Sequence, residues 1–195
     1  MRKFSLFTLL ASMLLAVGCE SEMLDQEIKK PVFKDGQASI TIMGDSMITT
    51  RSTNGRVEFS GGYATGAGLY DGKADAVVEA VPYSGYQLVS FTGGPIGGNS
   101  SQFSGASQYG FNVNNQDWRF SVSFKKEYTI AVSADTGGSV SGGGTVLEGE
   151  NCTVNASENS GYSFEGWYEG NTKVSSSASY TFAVSSNRTF CFYLT

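Results

Sequence analysis

The chain has 195 residues, with 13 Lys and Arg against 18 Asp and Glu, a formal charge of −5 and no histidine. The acidic balance argues against a nucleic-acid partner, and the missing imidazole removes the commonest general base, the Ser–His and Cys–His nucleophile pairs and every His-bearing zinc site. Lys29-Lys30 and Lys125-Lys126 read as solvated charges beside strands.

At the N-terminus, Arg2 and Lys3 precede an apolar stretch from Phe4 to Val17, broken only by Ser5, Thr8 and Ser12. That is the order of a secretory leader, and it is shorter than the roughly 20 residues a membrane-spanning helix needs. Ala16-Val17-Gly18-Cys19 then resembles the lipobox of bacterial lipoproteins, with Ala16 where leucine is favoured. The resemblance implies a signal peptide over 1–18, cleavage before Cys19 and acylation of its thiolate sulfur. Membrane lipid is thus the first expected partner. Each buried methylene contributes about 0.8 kcal/mol, so several acyl chains on one cysteine anchor stably. Cleavage takes Arg2 and Lys3 and no acid, which moves the formal charge from −5 to −7.

Residues 19–36 read as an acidic linker carrying Glu20, Glu22, Asp25 and Glu27. An acidic cluster directly after the cysteine resembles the surface-export signal of Bacteroidota lipoproteins. It implies an outer-membrane protein facing the cell surface. A linker extended merely by its own charge repulsion is the alternative.

The chain's 25 glycines, its mere three prolines and its many Ser, Thr and aromatic residues suit short twisted strands and tight turns. Sliding the chain by 76 positions aligns 56–91 with 132–167 without a gap. Gly61-Gly62 falls on Gly137-Gly138, Gly66 on Gly142, Gly68 on Gly144, and Ser84-Gly85-Tyr86 on Ser160-Gly161-Tyr162. Phe91 meets Trp167. The offset then shrinks: Tyr109, Phe111 and Val113 match Tyr180, Phe182 and Val184 at 71, and Phe120, Val122 and Phe124 match Phe190, Phe192 and Leu194 at 70. The shrinkage locates an insertion in the first copy between Thr92 and Gln108. The expected fold is all-β, with two tandem small repeat domains, 37–126 and 127–195, after the leader and linker.

In the first copy, Ala38 to Met43 is expected to supply a displaced first strand, with 44–55 as an added loop. In the second, Ile130, Val132 and Ala134 alternate with polar residues, as do Cys152, Val154 and Ala156. A small-residue strand from Ser139 to Thr145 ends in Gly142-Gly143-Gly144. Tyr162 and Phe164 share a face that Trp167 would leave, so a β-bulge at Gly166 is expected to turn Trp167 back inward. Tyr180 to Val184 and Thr189 to Leu194 read as a hairpin around Ser185-Ser186-Asn187.

From Tyr128 to Leu194 the order is strand, Gly-Gly, Gly-rich strand, Glu148-Gly149-Glu150, Gly161-Tyr162-x-Phe164-x-Gly166-Trp167 and Tyr180-x-Phe182-x-Val184. This resembles the divergent internalin-B-type B-repeat, a bacterial repeat domain of surface proteins. In the first copy Ser90 replaces the glycine and Phe91 the tryptophan. The resemblance implies an all-β spacer, stalk or binding unit without catalysis.

Candidate sites are sparse. Trp118 is the ring expected to be exposed for ligand stacking, within a wider aromatic set of Tyr63, Tyr70, Tyr83, Trp167 and Tyr168; Trp167 is expected in the core. Asp45-Ser46-Met47 resembles a short O-glycosylation sequon, with Ser46 as acceptor. Asp71, Asp75 and Glu79 lack the pattern of a calcium loop, and Gly142 to Gly144 lacks the lysine and helix of a phosphate loop. Opposite strand parity argues against a Cys152–Cys191 disulfide. No metal, cofactor or catalytic residue is expected. The function expected is a non-catalytic binding or spacer module for a glycan or an envelope protein. Its alternatives are an assembly subunit of a surface complex or fimbria and, more distantly, a hydrolase working through an unidentified acid pair.

Overall fold

Alternating apolar and polar side chains produce sixteen strands and no helix among the described residues, 36–45, 55–134 and 136–195 of a computed structural model. Cys19, the acidic linker up to residue 35 and Ser46 lie outside them. The strands are β1 (Gln37–Gly44), β2 (Arg56–Phe59), β3 (Gly62–Thr65), β4 (Gly68–Asp71), β5 (Asp75–Pro82), β6 (Tyr86–Pro95), β7 (Ser101–Gln102), β8 (Gln108–Asn112) and β9 (Trp118–Ala134). They continue with β10 (Gly138–Gly142), β11 (Gly144–Leu147), β12 (Asn151–Glu158), β13 (Phe164–Glu169), β14 (Thr172–Ser175), β15 (Ser179–Ala183) and β16 (Arg188–Leu194).

The two copies follow one plan. The main sheet of the first runs β7-β6-β9-β1-β4, and that of the second β14-β13-β16-β9-β11. A smaller antiparallel sheet accompanies each, β2-β3-β5-β8 in the first and β10-β12-β15 in the second. Inward residues of each pair of sheets meet in separate cores. Ile40, Phe59, Val78, Phe91, Phe120 and Val122 belong to one, Ile130, Val154, Trp167, Phe190 and Phe192 to the other. Burying each such side chain contributes about 1.5–3 kcal/mol. β9 serves both copies: residues 118–126 close the first, and Glu127 onward open the second.

The displaced first strand is present. β1 lies parallel to β9 as β9 lies parallel to β16, and Ile40 faces Gly68 as Ile130 faces Gly144. The paired glycines also have a local cause. A Cβ on Gly61 or Gly137 would stand 2.6 Å from the ring of Tyr86 or Tyr162 respectively, so the Gly-Gly and Ser-Gly-Tyr motifs are two sides of one contact.

The bulge also recurs. Phe164 pairs with Leu194 and Gly166 with Tyr193, leaving an extra residue that lets Phe164 and Trp167 share the inward face. β6 repeats this between Leu88 and Ser90 without a glycine.

Two expectations need correction. Tyr180–Val184 and Thr189–Leu194 form no hairpin. β15 pairs with β12 in the small sheet, whereas β16 joins β13 and β9 in the main sheet, so residues 184–187 cross between layers. Buried Val184 holds that crossing by exchanging backbone hydrogen bonds with Gly149 and Glu150. The Ser139–Thr145 strand is likewise two strands in different sheets. Gly142, Gly143 and Gly144, all at positive φ, carry the chain between them.

Candidate functional site

The extra residues of the first copy build a cleft. After Gly94-Pro95 the chain reverses, returns as β7 beside Thr92 and Gly93, and crosses to β8 through residues 103–107. The Phe103 amide donates to the Phe91 carbonyl (2.8 Å), and its ring lies 4.9 Å from that of Phe91 and stacks 4.2 Å from that of Tyr109. At the other end the Ala80 amide donates to Ser107 O (2.7 Å). Between these fixed points a cleft of about 520 Å³ opens beside β6. Its polar groups come from Tyr86, Gln87, Ser90, Gln102, Ser104 and Ser107, and no Asp, Glu, Lys or Arg lines it among the described residues.

The second copy shows how the space is otherwise used. There the Ala156 amide donates to Ala178 O, the counterpart of the Ala80–Ser107 bond. The Trp167 indole N–H reaches the same carbonyl at 3.0 Å. The indole thus spans from core to crossing segment. Phe91, in the equivalent place, is shorter and has no donor, and five additional residues bring in Phe103 instead. The cleft of the first copy thus lies along a connection five residues longer, with Phe91 where the second copy has Trp167. A second recess, of about 240 Å³, lies under residues 95–100 and includes Arg119.

Trp118 is not an exposed platform. It shares the face of Phe120 and Val122, is half-buried, lies tilted against Phe111 with ring centroids 4.1 Å apart and donates its indole N–H to Val113 O (3.1 Å). Trp167 is buried, as expected. Tyr70 packs on the first core and donates to Gly66 O.

Other surface rings are engaged with neighbours. The Arg56 guanidinium sits 3.5 Å over Tyr63, and Glu58 accepts hydrogen bonds from both Arg56 and Tyr83. The bond from Arg56, then that from Tyr83, lowers the Glu58 carboxyl below its ordinary range; the same Glu58 raises Arg56 and Tyr83. Tyr168 donates to Glu165 (2.8 Å), a bond that raises its phenol, and meets Tyr193 edge-to-face at 4.9 Å. Asp71, Asp75 and Glu79 are exposed, with Asp75 accepting from Asn112. No group of three or more potential ligating acids or thiols converges among the described residues. Cys152 is a buried free thiol in the small sheet, and Cys191 a half-buried one beside Ser133 in the main sheet. Sequence reading missed Tyr86, Gln87, Gln102, Ser104 and Ser107; the shrinking offset and Phe91 in place of tryptophan were the signals.

The divergent InlB B-repeat domain matches residues 47–127 and then, without interruption, 128–190. The chain belongs to this family. Its B-repeats are repeat-type binding or structural domains, and the boundary between the two matches falls inside β9. The first match begins after β1, so the strand completing that B-repeat's main sheet precedes it in the chain. No curated protein and no solved structure matches the chain.

Proposed function

We propose that this is an outer-membrane protein held by lipid on Cys19, in which the first B-repeat binds a ligand without catalysis and the second supports it. The ligand is a glycan or another component of the envelope. The observation that carries this reading is the cleft of the first repeat, at a place that the Trp167 indole bridges in the second. Concave sites of about 300–1,000 Å³ that mix apolar walls with a few polar groups are where proteins hold small ligands. The test is an exchange: Phe91→Trp together with residues 168–179 in place of 92–108, giving the first repeat the connection of the second. Binding of the mature chain to intact envelopes should fall to background in this variant, with the fold retained by circular dichroism. Unchanged binding rejects the reading.

An assembly subunit is the second reading. The edge strand β4 favours it, being paired only with β1 among the described residues and exposing Leu69.

A further inference from the structure

We infer that the cleft of the first repeat takes an uncharged saccharide, an inference that rests on the binding-module reading above. The lining decides the ligand's charge. None of the described residues that line this cleft is charged, so a charged ligand would lose hydration there without gaining a counter-ion from them.

What the cleft supplies is a set of groups that both donate and accept. The Gln87 and Gln102 amides each offer two donors and a carbonyl, and the Ser90, Ser104 and Tyr86 hydroxyls can turn to suit either role. A sugar presents the matching array, with hydroxyls that are donor and acceptor at once. Its C–H faces need apolar cover, and Leu88, Val89 and Phe103 provide it. Phe103 is fixed between Phe91 and Tyr109, so that wall exists before any ligand arrives.

A peptide adding to the sheet edge fits less well. Strand addition needs a regular run of backbone donors and acceptors. Here Val89 is the extra residue of the β6 bulge, the Phe91 carbonyl already accepts from Phe103, and β7 occupies Thr92 and Gly93. Bulges of this kind are how edges are kept from pairing.

The experiment is titration of the mature chain, from residue 20 onward, with neutral and uronic-acid oligosaccharides at low and high salt. Neutral sugars should bind with an affinity that salt leaves unchanged within about twofold, since no charge pair is there to be screened. Gln102→Ala should weaken binding at least tenfold. Ser104→Trp, at an exposed turn position, should fill the cleft and abolish binding while the near-ultraviolet circular dichroism keeps its native form. Binding confined to acidic sugars, a steep salt dependence, or affinity indifferent to Ser104→Trp overturns the inference. So does a silent sugar panel when the exchanged-connection variant still loses its envelope partner; in that case the binding-module reading survives alone. If that variant keeps all binding, both fall.

Discussion

Gly142 and Gly144 have φ of +90° and +97°, yet their surroundings differ. A Cβ on Gly142 would lie 2.1 Å from the Thr153 carbonyl oxygen, whereas one on Gly144 would meet nothing within 4 Å. Gly144→Ala should therefore cost only the left-handed backbone penalty, about 1–2 kcal/mol. Gly142→Ala should add about 1–3 kcal/mol for a clash that a backbone carbonyl cannot avoid by rotating. Urea titrations of the two variants read the difference directly, and equal losses would reject the packing account. A second prediction concerns Arg188, which donates to Glu169 through Nη2 (2.8 Å) and Nε (3.2 Å) and lies over Phe182 and Phe190. Its hydrogen bonds hold the Glu169 carboxyl below the ordinary 4.5. A depressed folded-state value adds stability that is present above about 4.5 and lost as pH falls through the lower folded value. Arg188→Gln should flatten that acid loss, by less than about 1 kcal/mol because Glu169 is partly exposed. Stability measured from pH 6 to pH 3 checks it. At this scale the sequence was informative where parity was unbroken: Cys152 and Cys191 fall in different sheets, with no disulfide. Trp118 sat where the alignment slips by one residue, and only its partners Phe111, Phe120 and Val113 settle its facing.

Among elements, the bulge has a consequence that runs against intuition. With Phe164 opposite Leu194, Gly166 opposite Tyr193 and Trp167 opposite Phe192, removing Glu165 leaves an uninterrupted ladder with both aromatics still inward. Deletion of Glu165 should thus cost less than about 1.5 kcal/mol, whereas Trp167→Ala should cost about 3–5 kcal/mol by emptying the core. Chemical denaturation followed by tryptophan fluorescence distinguishes the two; a deletion as damaging as the truncation would refute the assigned register. The bulge was legible from the conflict of parities between Tyr162, Phe164 and Trp167. The false hairpin shows the limit of such reading. Residues 180–184 and 189–194 have hairpin spacing, but spacing does not say which sheet each strand joins; Val184 does that by bonding to Gly149 and Glu150, far from it in sequence. The cleft was hidden for the same reason. An insertion can be counted from the sequence, but whether it fills space or leaves it depends on contacts such as Phe103 on Phe91.

For the whole molecule, two cores hang on one strand. Residues 118–126 of β9 pair with β6, and Glu127 continues directly into pairing with β11. Loss of either core removes order from a strand the other requires, so the two repeats should unfold in one transition. Trp167→Ala should lower the midpoint seen by Trp118, which lies in the other repeat. A Trp118 signal that ignores that substitution would instead mean independent units. At the membrane, Cys19→Ala should abolish incorporation of labelled lipid, and unchanged labelling would refute the proposed anchor. Repeat architecture and its internal count were readable because glycine and aromatic spacings recur at an offset of 76, shrinking to 70. The sharing of β9 was not, since a repeat boundary in sequence does not announce whether the chain bends there.

The shared strand also has a mechanical meaning. β1 and β16 both run parallel to β9, so tension applied between residue 36 and residue 195 acts along the ladders and loads their hydrogen bonds together in shear. Seventeen residues of β9 extend about 56 Å and form a load path through both repeats. Pulled between residues 36 and 195, the protein would hold until that clamp gives way as a unit, rather than lengthening one repeat at a time.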